Sequence, residues 1–121
     1  MTRSTDDRTV DEIISDYIRA ASAHEPAILA GNAEAAVSAY DTVAACADEL
    51  RFRGLDAQKA LLLLLEHKNL RVQLCAATDA LEFAPALAET KLLSLSHSAS
   101  LVGLDASAIL REWQKGNVKF H

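Results

Sequence analysis

Six consecutive apolar residues, Ala60 to Leu65, constrain this chain more than any other stretch. Five of them are leucines, and leucine with alanine favours helix over strand. Successive residues on an α-helix point about 100° apart, so five leucines in a row cannot share one face. The element that carries them is expected to be packed on more than one side, in the middle of the fold. The run is far short of the roughly 20 apolar residues that cross a bilayer, and no membrane partner is expected.

Caps and breakers divide the rest into helices. Thr9-Val10-Asp11-Glu12 has the capping-box pattern that starts a helix. Val10, Ile13, Ile14, Tyr17, Ile18 and Ala21 then follow the spacing that places them on one face. Pro26 is expected to kink this helix rather than stop it, and Gly31 to close it in the left-handed conformation. Asn32 caps a second helix to about Arg53, with a stripe of Ala36, Tyr40, Val43, Ala47 and Leu50; Gly54 ends it. Asp56 caps a third helix through Glu66, His67-Lys68 makes the connection, and Asn69 caps a fourth from Leu70 to about Glu82. Pro85 stands in the first turn of a fifth, where its missing N–H costs nothing. The polar stretch Ser94 to Ser100 reads as its frayed end. Asp105 caps a sixth that carries Ala108, Ile109 and Trp113, the last as a core anchor, and Gly116 closes it. The tail Asn117 to His121 is expected to be extended.

About six helices with short connections imply antiparallel neighbours. The expected architecture is all-α: a flexible start over residues 1–8 and a single helical domain over 9–121.

Charge and cysteine usage limit the partners and the compartment. The net charge is −5, which argues against a protein that binds nucleic acid by neutralising phosphates. Residues 1–50 hold three basic and ten acidic side chains, whereas 51–121 hold nine and seven. Cys46 and Cys75 both lie in apolar helical patterns beside alanines, which reads as two small core residues in a reducing, cytoplasmic setting. The charged start, MTRSTDDRTV, has no apolar run of the kind a secretory signal needs.

The residues that could carry chemistry are dispersed. His24, His67, His97 and His121 are isolated, and no metal-ligand spacing occurs. The glycines form no phosphate cradle, and neither a cofactor nor a catalytic residue is expected. Arg71 lies four residues before Cys75, about one helical turn away, where a cation lowers a thiol pKa. Arg51 and Arg53 fall before the leucine-rich helix, Lys68 and Arg71 after it. At 1.5 Å per residue, an 11-residue helix separates the two pairs by roughly 16 Å, so they form two small basic clusters. These four are the candidate interaction residues.

Residues 55–83 resemble a HEAT-type helical hairpin, with Val72, Ala76, Ala77 and Ala80 in the places where small residues let two helices approach. Gln73 follows the valine, where that repeat usually has arginine. From about Val10 to Phe120 the chain resembles a bacterial family known as domain of unknown function 2019. The resemblance rests on Tyr40-Asp41, Asp48-Glu49-Leu50, Gly54, Ala60 to Leu65, His67, Asn69, Val72, Leu74 to Ala77, Gly116 and Lys119. It implies a HEAT-like α–α bundle or short solenoid, and no particular chemistry.

The expected function is a non-enzymatic interaction module that holds a protein partner or a second copy of itself. One alternative is a small immunity or inhibitor-type protein that blocks a toxin through its acidic half. Another is an enzyme whose site gathers Arg71, His67, Asp48 and Glu49.

Overall fold

A computed structural model describes residues 8–118. Among these the chain is all-α and contains six α-helices: α1 (Val10–Leu29), α2 (Ala33–Phe52), α3 (Leu55–Leu63), α4 (Leu70–Ala80), α5 (Pro85–Ser96) and α6 (Leu101–Gln114). A 3-10 turn, Leu64–Glu66, follows α3. The chain divides into two compact units between Ala60 and Leu61, within α3.

The first unit is built on the α1–α2 hairpin. Both halves of the Thr9 capping box form: the Thr9 hydroxyl accepts from the Glu12 N–H, and the Glu12 carboxylate accepts from the Thr9 N–H. α1 runs through Pro26 to Leu29. At its end the N–H of Gly31 (φ 73°) donates to the Ile28 carbonyl and that of Asn32 to the Ala27 carbonyl, the Schellman pattern that satisfies orphan acceptors. The Asn32 side chain then accepts from the Ala35 N–H and starts α2, so the two helices are joined by three residues. Their contact is lined by small side chains. Ala20 and Ala21 of α1, and Ala36, Ala39, Cys46 and Ala47 of α2, are buried with the larger Ile13, Tyr17, Val43 and Leu50.

Tyr40 is not part of that stripe. It is 63% exposed and its ring meets His24 at a centroid distance of 6.4 Å. The buried face of α2 turns toward Ala36, Ala39, Val43, Cys46, Ala47 and Leu50, because the small residues, not the aromatic one, allow close approach to α1.

Arg53 and Gly54 alone join α2 to α3. Gly54 is at φ 90°, a conformation side chains disfavour; its N–H donates to the Arg51 carbonyl and its own carbonyl accepts from Gln58. α3 therefore begins at Leu55, and Asp56 lies in its first turn rather than at its cap.

In the second unit the 3-10 turn packs on α4, and α4, α5 and α6 pack against one another. The leucine run is buried on one side rather than all round. Leu61, Leu64 and Leu65, at i, i+3 and i+4, are buried, while Leu63 is 76% exposed. The switch to 3-10 geometry at Leu64 tightens the last turn before His67. Three side chains then shape the turn into α4. His67 Nδ1 accepts from the Asn69 N–H at 3.0 Å. Asn69 Oδ1 accepts from the N–H groups of Arg71 and Val72. Gln73 Nε2 donates to the His67 carbonyl at 2.5 Å, which gives that residue a local purpose.

Helix ends in this unit differ from expectation at three places. α4 stops at Ala80, two residues short of Glu82, and the turn to Ala84 is closed by N–H groups of Phe83 and Ala84 on the Ala80 carbonyl. α5 takes in Ser94 and Ser96, whose Oγ donates back to the Leu93 carbonyl. α6 begins at Leu101 with Ser100 as its cap, so Asp105 is inside the helix. Trp113 is half-buried and its indole N–H donates to Glu89 of α5. The expected extended tail is described only to Val118; its last three residues and residues 1–7 of the expected flexible start lie outside the described residues.

Gly103 is where α6 meets the preceding turn. A Cβ there would lie 1.9 Å from the Ser98 carbonyl oxygen, which is backbone and cannot swing away. The substitution Gly103→Ala is expected to lower stability by about 1–3 kcal/mol through forced displacement of this turn, measured as a lower midpoint in urea with an unchanged slope.

Candidate functional site

In the first unit Arg8 ties the start of the described chain to both helices. Its guanidinium pairs with Asp16 of α1 and, at 3.2 Å, with Glu49 of α2. Asp16 also takes Arg19 at 2.9 Å, and Glu49 takes Arg53 at 3.0 Å. Two carboxylates thus hold three guanidinium groups in one chain of ion pairs, with Cys46 buried beside Arg8. Burial pushes the Cys46 thiol pKa up and Arg8 offsets part of that rise. Arg51 is paired separately with Asp48.

Beside Arg8 and Cys46 an open groove of about 510 Å³ runs along α2, bounded by Glu34, Val37, Ser38, Asp41, Thr42 and Ala45. The periodicity of the helix produces it. With Ala36, Ala39, Val43 and Cys46 committed to the core, the residues one or two positions away form a second face, turned outward.

In the second unit the charged group of interest is Arg71, whose residue exposure is only 7%. It projects from the first turn of α4 and donates from Nη1 to Asp105 Oδ2 of α6 at 2.7 Å. The exposed side of the pair is Asp105. Arg71, Cys75 and Asp79 follow one another at four-residue intervals along α4. Burial and the Asp79 charge push the Cys75 thiol up to about 12, against the opposing pull of Arg71. The nearby cation therefore does not produce a thiolate, because desolvation outweighs it. Cys46 is a core residue as expected, whereas Cys75 is only partly covered.

Of the four candidate interaction residues, Arg51 and Arg53 are held by Asp48 and Glu49 in the first unit. Arg71 is a buried structural ion in the second, and Lys68 is exposed in the turn before α4. Arg71 is thus removed from the set that a partner could touch, since its guanidinium is spent on fixing α6 to α4. The dispersed catalytic set is likewise committed. Asp48 and Glu49 bind arginines in the first unit, while in the second His67 shapes its turn and Arg71 holds Asp105. Among the described residues no group of three His, Cys, Asp or Glu side chains could hold a metal ion. No helix among them is long and apolar enough to cross a membrane. His121 lies outside the described residues.

What sequence reasoning missed is the pattern of exposed large apolar side chains. Phe52 is 91% and Leu55 73% exposed on either side of Gly54 in the first unit, joined there by Val37 and Tyr40. Leu87, Leu93 and Leu104 are exposed in the second. The signal was present: each falls off the core periodicity of its own helix.

A family described as a domain of unknown function, DUF2019, matches residues 11–112. The chain belongs to this family. A crystal structure of a protein from Rhodopseudomonas palustris is similar to this DUF2019 chain, at 26% identity and a TM-score of 0.85, covering 98% of each chain. No curated protein matches it.

Two measurements test the site chemistry of this DUF2019 member. Replacing Asp105 with alanine removes this ion pair from a largely buried guanidinium and is expected to cost about 1–3 kcal/mol. Arg71→Met removes the charge together with the need for a partner, and is expected to cost less in the same urea titration. The raised Cys75 pKa has a defined sign. Above the unfolded thiol value of about 8.5, the unfolded chain loses a proton that the folded chain keeps, so stability falls as pH rises from there toward 12. A Cys75→Ala variant is expected to show a shallower loss of stability over that range.

Proposed function

We propose that this chain is a non-enzymatic interaction module that holds a protein partner, or a second copy of itself, on an exposed helix face. The observation that carries this reading is the exposure of Phe52 and Leu55 together at the α2–α3 junction. Large apolar side chains in solvent forgo burial that stabilises a fold by roughly 1.5–3 kcal/mol each, and clusters of them mark contact surfaces. The charged side chains support the same reading from the other direction. Arg51, Arg53, Asp48, Glu49 and Arg71 are engaged within their own units and serve structure rather than turnover. A HEAT-like arrangement of helices fits such a role, since stacked helical hairpins present continuous faces to partners. Two free cysteines, each with a raised thiol pKa, suit a reducing cytoplasm.

The test combines light scattering with affinity purification of the tagged chain from the cells that encode it. The expected result is a stoichiometric partner or a dimer, lost in a Phe52→Ser, Leu55→Ser double variant that keeps its helical circular dichroism. A monomer that carries no stoichiometric partner would overturn the proposal.

A further inference from the structure

We infer that the outward face of α2 is a docking groove for a basic amphipathic helix of a partner protein. This rests on the interaction reading and specifies the chemistry of what is held.

Glu34 and Asp41 stand seven residues apart on α2, two turns and about 10 Å along one side, and both border the groove. Among the described residues neither makes an ion pair. Arg8 also borders the groove, but its ion pairs are made with Asp16 and Glu49 and with neither of these carboxylates. The groove therefore presents two carboxylates that make no ion pair among the described residues, in the half of the chain that carries ten acidic against three basic residues.

Between the carboxylates the surface suits a helix more than a loose cation. Val37 is 59% exposed and supplies an apolar contact. Ser38, Thr42 and Ala45, at i, i+4 and i+7, are short enough for another backbone to come close. The Thr42 hydroxyl is satisfied by the Ser38 carbonyl at 3.0 Å, so it asks nothing of a ligand. Residues 34–45 span about 16 Å of helix, enough for three turns of a partner. Such a partner would place Lys or Arg at i and i+7 opposite Glu34 and Asp41, with an apolar residue between them over Val37. Charge complementarity would set its orientation and speed its arrival.

The experiment titrates the full chain into fluorescein-labelled helical peptides that share one apolar pattern and differ only in carrying lysine or glutamate at every seventh position. Binding is followed by fluorescence anisotropy. The lysine peptide is expected to bind, more weakly as salt rises, and the glutamate peptide to fail. A Glu34→Gln, Asp41→Asn double variant should weaken the lysine peptide by about tenfold. Val37→Ser should also weaken it, with helical circular dichroism unchanged in both. Equal binding of both peptides, indifference to the double variant, or full competition by spermidine would overturn the groove assignment. So would a finding that the same substitutions instead abolish self-association, which would make a second copy the occupant. Partner capture that persists in the Glu34→Gln, Asp41→Asn chain, but is lost with Phe52 and Leu55, would refute the groove while leaving the interaction reading intact.

Discussion

Each helix in this protein has to satisfy its own orphan backbone groups within very short connections, and that constraint organises the rest of the structure. Between α1 and α2 only three residues are available, and a glycine in the left-handed conformation followed directly by an asparagine cap does the work of both ends. Between α2 and α3 even that is compressed, since Gly54 closes one helix and opens the next. With connections this tight, neighbouring helices are held beside one another, and close approach is then possible only where side chains are small. The alanines buried between α1 and α2 are the counterpart of the short turn that joins them.

The same constraint explains what was legible in the sequence. The six helices, the capping box at Thr9, the asparagine caps at 32 and 69, and the left-handed Gly31 each follow from a local rule that the surroundings do not contradict. The misreadings occur where one residue type suits two positions. Aspartate is favoured both at the cap and in the first turn of a helix, and Asp56 occupies the second place. Asp105 lies deeper still, because its carboxylate answers Arg71 from another helix, a tertiary contact that no local pattern displays. Tyr40 was drawn into the core stripe by its spacing, yet the face nearest α1 was decided by the alanines around it.

For the candidate site, legibility was lower and for a physical reason. Charged residues near one another in sequence look available until their partners are known. Arg51, Arg53 and Arg71 are all engaged within their units, and the exposed side chains of the candidate surface include apolar and acidic ones that sequence reading treats as background. The Arg71–Cys75 spacing shows the same effect. A cation one turn away is a reason to expect a reactive thiol only when the thiol is wet, and here burial dominates.

The half-buried Trp113, bonded through its indole to Glu89, is the sole tryptophan of the chain. Its emission is therefore a built-in reporter of whether α6 lies against α5, whereas residues 8–60 carry no tryptophan of their own. Backbone ellipticity, by contrast, sums over every helix, the long α1 and α2 included. The two signals sample different stretches of one polypeptide, so overlaying their unfolding curves asks whether those stretches melt as a single cooperative body.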